Sequence, residues 1–182
     1  EKKVAHHMLE LIQQYWLYFL VGQYPKGPLG GLALTLILAS LGLLLSLPLG
    51  LVFGLMRVSP YRWVRLPVTA FIYIVRGTPL LMVVFWAYFF LPSVTGIKTD
   101  QFWTMLIALV VFDAAYLAEI VRAGILGLPK GQMECARSLG LSYMKAMTSV
   151  VLPQALRNSL PSLVNQFIST IKETSLGYII GL

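Results

Sequence analysis

The chain has 182 residues, of which 58% are hydrophobic and only 12% charged, with a formal net charge of +7. A soluble domain carries about 25% charged residues, so this composition excludes an ordinary soluble protein and points to one membrane domain. The basic excess (pI about 9.7, mean hydropathy +0.78) sits at the ends of apolar runs, not in a nucleic-acid-binding patch, and the lone Cys135 excludes an internal disulfide or a multi-cysteine metal site.

Residues 5 to 22 read as a helix lying on a membrane surface. Glu10, Gln13 and Gln14 gather on one side; Leu9, Ile12, Trp16 and Phe19 gather on another. The aromatic run Tyr15, Trp16, Tyr18 and Phe19 suits the headgroup level, and the alternative is a core helix of a soluble part. No secretory signal is expected, because the apolar stretch is short and no small-residue cleavage site follows. His6 and His7 stand without further ligands and read as interfacial polarity, so no metal site is expected. The Pro- and Gly-rich segment 23–31 is a turn-rich linker.

From Lys26 to Arg57 no charge occurs, and Leu32 to Met56 exceeds the roughly 20 residues that a membrane crossing needs. Its Gly42, Pro48, Gly50 and Gly54 are tolerated in lipid and allow close helix packing. Leu66 to Pro92 is a second crossing, interrupted at Arg76, Gly77, Thr78 and Pro79. Pro79 removes a backbone donor and disfavours helix at Thr78. A broken helix at that depth must face protein or a wet cavity. Arg76 at mid-bilayer costs about 2.5–3.5 kcal/mol. Two readings of it stay open, snorkelling to headgroups and a place on a substrate pathway.

Gln101 to about Arg122 is a third crossing that contains Asp113 and Glu119, and an acid inside a membrane is a functional candidate by default. Glu119 can pair with Arg122 three residues on. Asp113 has no basic partner at helical spacing; it can bond Tyr116 on its own face or meet Arg76 from the neighbouring span. From Gly124 to Asn158 the chain is polar, and a fourth, imperfect crossing starts near Leu160, interrupted by Lys172 and Glu173. The chain begins at Glu1 and stops inside an apolar run, so it is expected to be a fragment.

Orientation follows from charge. Segments 57–65 and 124–158 hold seven Lys or Arg, against Lys26 and Lys98 near the spans on the other side. The basic side is expected to be cytoplasmic, which puts the N-terminus outside.

Within the polar segment, Gly131 to Pro153 has a defined spacing. Glu134-Cys135-Ala136 is followed by three residues, Gly140, nine residues, Val150, one residue, and Leu152-Pro153. Pro129 precedes a first short helix whose apolar face holds Met133, Ala136 and Leu139. Gly140 supplies a turn, Ser142 caps a second helix, Tyr143 and Met147 line its apolar face, and Pro153 ends or kinks it.

That spacing resembles the EAA loop of ATP-binding-cassette (ABC) importer permeases, with Cys135 for the second-position Ala and Val150 for Ile. Segments 115–125, 129–132, 152–161 and 165–176, with RGTPLL at 76–81, resemble the polar amino-acid branch of that superfamily. The resemblance runs from about Gly30 to Leu182. It implies an all-α integral membrane protein, a type I permease bundle of five transmembrane helices with the last absent from this chain. The organisation expected is an extracytoplasmic interfacial helix and linker at 1–30, then a permease domain at 31–182 with a cytoplasmic coupling loop at 124–158. The resemblance implies ATPase coupling by Glu134, Cys135, Ala136, Gly140, Leu152 and Pro153. A substrate pathway is expected at Arg76, Gly77, Thr78, Asp113 and Glu119, with the amides at Gly77 and Thr78 freed by the break.

The implied partners are cytoplasmic ATPases, a second permease subunit (identical or a sister), an extracytoplasmic solute-binding protein, membrane lipid and an amino acid. This chain has no G-x-x-x-x-G-K-[ST] sequence. No cofactor is expected on it, ATP and Mg belonging to the partner ATPase, and no catalytic residue is expected in it. A bacterial inner (cell) membrane is the implied location. Glutamate and aspartate rank first as substrates by resemblance, ahead of glutamine and basic amino acids. The alternative is a stand-alone secondary transporter or channel subunit, which would show paired broken helices in corresponding halves. A membrane enzyme lacks any motif that sets a nucleophile beside a base.

Overall fold

The computed structural model describes residues 2–97 and 100–182; Lys98, counted above among the basic residues, and the histidine pair's side chains lie outside what it describes. The order is α1 (Lys2–Val21), α2 (Gly31–Val58), α3 (Arg62–Gly77), α4 (Leu80–Phe85), α5 (Leu91–Thr95), α6 (Gln101–Leu126), α7 (Gly131–Ser138), α8 (Tyr143–Ala146) and α9 (Leu152–Glu173). A π-helical turn, Trp86–Phe90, joins α4 to α5; another, Met147–Val151, joins α8 to α9; a 3₁₀ stretch, Thr174–Ile180, follows α9. No named strand occurs among the described residues. α2 and α6 are each long and apolar enough to cross a membrane, and α3 with α4–α5 forms a third such unit bent by 100°. The fourth, imperfect crossing expected from near Leu160 lies within a helix that starts at Leu152 and carries Arg157, Asn158 and Gln166, with Lys172 and Glu173 at its end.

The centre is the α2–α6 pair. In lipid there is little hydrophobic drive between helices, so close backbone approach has to supply the attraction. Glycines on α2 meet α6 in one register: Gly42 against Leu109, Gly50 against Leu117, Gly54 against Val121. The helices therefore run parallel. A Cβ at Gly50 would stand 2.5 Å from the Leu117 Cβ, and one at Gly54 would stand 3.0 Å from the Ala118 carbonyl oxygen. α9 packs on another side of α6, and α3 and α4 add Val68, Ile72, Leu80 and Val84 to the same core. A second cluster (Val121, Ile125, Met147, Val151, Leu152, Ala155) joins the C-terminal end of α6 to the 143–155 region. α1 packs on α2, and much of it stays bare, Tyr15, Trp16, Tyr18 and Phe19 included.

Proline decides where helices bend. Thr78 and Pro79 are extended (ψ 132° and 142°), as the residue before a proline prefers, and α4 starts afresh after them. Pro153 was expected to end or kink the second short helix; it does not end the helical run, which passes from the Met147–Val151 π turn into α9. Both π turns close on a Leu-Pro pair: Leu91 N–H bonds the Trp86 carbonyl before Pro92, and Leu152 N–H bonds the Met147 carbonyl before Pro153. A proline ring would strike the carbonyl four residues back in a regular α-helix. The wider i→i+5 turn moves that carbonyl aside.

Gly50→Leu should therefore disrupt α2–α6 packing at a cost of about 1–3 kcal/mol. Gly42→Ala, whose added Cβ meets only Leu109 side-chain atoms at 3.6 Å or more, should be tolerated. Thermal unfolding of the purified protein in detergent measures both.

Candidate functional site

Two polar nodes hang from α6, one half-buried at Glu119 and one buried at Asp113. Asp113 and Glu119 are six residues apart, roughly 240° around a helix, so they face different neighbours.

Glu119 is gripped from three elements. Arg57, at the end of α2, bonds Oε2. Arg122, one turn on along α6, donates from Nε to Oε1 at 3.0 Å. Arg76, at the end of α3, is 3.8 Å from Oε2, an ion-pair distance too long for a hydrogen bond. The pairing with Arg122 was legible from spacing; Arg57, sixty-two residues away, was not. Two rings support the cations. The Arg57 guanidinium lies 5.2 Å over Tyr73 and that of Arg76 lies 5.0 Å over Tyr116. The Arg57 side chain is 6% exposed, and its Nε is buried without a partner. Arg76 and Arg122 keep 34% and 30% exposure. Three guanidinium groups thus face one carboxylate. On the other side of Glu119 a cavity of about 400 Å³ opens, lined by Gly124, Asn158, Ser159 and Ser162.

Asp113 is fully buried. Its oxygens accept from Gln166 Nε2 at 2.8 Å and Thr170 Oγ1 at 2.9 Å, both on α9. The expectation of Tyr116 or Arg76 as its partner is corrected. Asp113 ties α6 to α9. No signal in the sequence linked it to Gln166, because the pairing depends on how α9 packs.

The break at Arg76–Pro79 also differs from expectation in one respect. The Thr78 amide is not freed: it bonds the Val75 carbonyl at 3.2 Å, and the Thr78 hydroxyl donates to Ile74 O at 2.8 Å. Gly77 is the last residue of α3, with open space where a Cβ would stand.

In the polar stretch, α7 ends at Ser138 and Gly140 adopts φ +83°, a left-handed conformation that suits glycine. Ser142 accepts from Lys145 N at 3.3 Å and caps the next helix. Ala136 is buried, Met133 is half-buried against the second core, and Leu152 belongs to that core. Glu134, Cys135 and Pro153 are exposed. Leu139, expected on the inner face with Ala136, is 84% exposed, because α7 has ended and the chain is already turning. Met144, just past the turn, is 65% exposed. Beneath this knob Met133, Tyr143 and Met147 line an apolar cavity of about 350 Å³ together with Val58 and Ile125 from the ends of α2 and α6. Burial there pushes the Tyr143 phenol up from its ordinary pKa.

The family described as "binding-protein-dependent transport system inner membrane component" matches residues 46–182. An inner membrane amino-acid ABC transporter permease protein of Escherichia coli is 42% identical over 92% of this chain and 47% of its own length. The arginine transport system permease protein of Bacillus subtilis is 41% identical over 85% of this chain and 70% of its own length. Among solved structures, an amino acid ABC transporter crystallised with histidines superposes with a TM-score of 0.81 at 35% identity, covering 96% of this chain and 76% of that one. The chain thus spans about half of the first relative and about two thirds of the second.

The Asp113 tie can be tested by stability. Asp113→Leu leaves the Gln166 amide buried without its acceptor, at a cost of about 1–3 kcal/mol, while the Thr170 hydroxyl keeps the Gln166 carbonyl at 2.9 Å. Asp113→Asn retains one acceptor and should lose less. A lower unfolding temperature in detergent for Leu than for Asn is the expected result.

Proposed function

The chain belongs to the binding-protein-dependent transport system inner membrane components, and from that premise we propose that it is the non-catalytic permease subunit of an ATP-driven uptake system for amino acids. In this reading the segment 131–153 docks on a cytoplasmic ATPase. The single observation that carries it is the exposed knob formed by α7, Gly140 and α8, with Leu139 and Met144 bare at its tip. Two short helices of this length are marginal alone in water, so they are held by the second core on one side and offer apolar surface on the other. The basic segments 57–65 and 124–158 support a cytoplasmic position for the knob and an outer position for the N-terminus. A second permease subunit and an extracytoplasmic binding protein complete the proposed assembly, in a bacterial inner membrane. Glu134, Cys135, Ala136, Gly140, Leu152 and Pro153 form or support the docking element.

The substrate proposed is a polar amino acid, with glutamate and aspartate first. The surplus of guanidinium over carboxylate around Glu119 favours an anionic ligand. Arg76 and Glu119 mark the pathway, with Gly77 and Thr78 as its break. Arg76 is the receiver of a substrate carboxylate, since its planar fork matches that group at two points.

Leu139→Asp changes only an exposed side chain, and Gly140→Val opposes a left-handed backbone. Both variants should insert normally yet lower substrate-stimulated ATP hydrolysis of the reconstituted transporter about tenfold or more, on the scale of a buried interface anchor. ATPase activity with and without loaded binding protein measures it. Undiminished stimulation in both would sink the docking role.

A further inference from the structure

We infer that Tyr116 is a positioning residue for the transported amino acid: its ring seats the Arg76 guanidinium so that the edge of the fork receives the substrate's carboxylate. This rests on the reading of Arg76 as the carboxylate receiver. The three arginines are not equivalent. Arg57 and Arg122 both hydrogen-bond Glu119 and satisfy its two oxygens. Arg76 is held only by charge at 3.8 Å, and no hydrogen bond from its side chain occurs among the described residues. It is also the most exposed of the three. Its donors are thus free to serve a ligand, whereas those of the other two are partly committed.

A flexible arginine with free donors is a poor two-point receptor unless its plane is held. Tyr116 supplies that restraint from α6, with the guanidinium 5.0 Å over its ring. A guanidinium stacked on a ring face leaves its N–H edge open to a carboxylate in the same plane. The ring is itself fixed by Phe112, 4.9 Å away and one turn back on α6. Glu119 lies one turn beyond Tyr116, so the same helix holds the ring and the countercharge that draws Arg76 towards it. Because Glu119 keeps Arg57 and Arg122 throughout, a substrate carboxylate can bind Arg76 without stranding a buried charge. The Tyr116 hydroxyl has no part in this; the ring face does the holding.

The test is equilibrium binding of radiolabelled L-glutamate to the purified permease–ATPase complex, without binding protein, alongside uptake by the complete transporter in proteoliposomes. Tyr116→Leu should weaken binding roughly fivefold to tenfold, with little change in unfolding temperature. Tyr116→Phe keeps the ring and should bind normally. In an Arg76→Lys background, where the planar fork is gone, Tyr116→Leu should add little. Normal binding by Tyr116→Leu, equal losses in the Phe and Leu variants, or an undiminished loss in the Arg76→Lys background would each overturn the inference. A drop in unfolding temperature with unchanged affinity would do the same and assign Tyr116 to packing. A wild-type transporter that takes up no amino acid sinks the transport reading itself; a transporting wild type with a normal Tyr116→Leu variant sinks only the role given to Tyr116.

Discussion

A charge within an apolar helix must be paired, and the arrangement of this molecule follows from how its two α6 acids meet that demand. The insertion cost of one acidic or basic side chain, about 2.5–3.5 kcal/mol, is comparable to the cost of a serious packing fault. Glu119 offsets it with arginines from α2, α3 and its own helix. Asp113 offsets it with an amide and a hydroxyl from α9. Four helices are thereby referred to one axis, because the two acids point to different sides of α6. The apolar core alone would allow sliding, since leucine packs on leucine in many registers. The polar nodes permit far fewer.

Close approach makes those nodes possible. Gly50 and Gly54 bring α2 against α6 with no room for a Cβ, which carries Arg57 to within bonding distance of Glu119. The broken span acts from the other direction. Its bend of 100° ends α3 at Gly77 and leaves Arg76 beside Glu119 and Tyr116. An unbroken helix would carry α4 straight on from Arg76; the break instead folds Leu80 and Val84 into the core of α6.

The exposed knob connects physically to this frame. From Tyr143 to Glu173 the chain is helical without interruption, passing through one π turn. Met144 therefore stands on the same helical run as Gln166 and Thr170, the donors to Asp113.

Much of this was legible in the chain itself. A charge-free run from 27 to 56 can only be a buried or membrane helix. Pro79 after Thr78 forces a break whatever surrounds it, because the proline ring acts on its own neighbours. Glu119 with Arg122, Gly140 as a turn and Ser142 as a cap are likewise local: each depends on residues a few positions apart. What tertiary structure alone decided is everything that joins distant segments. Arg57 with Glu119, Asp113 with Gln166 and Thr170, and Arg76 with Tyr116 have no signature in spacing, since the angle between helices sets them. The same holds for Leu139, whose periodicity placed it inside until the helix ended one residue too soon to bury it. Local chemistry determined where helices begin, break and turn. The packing of glycines and the pairing of charges decided which of their faces meet.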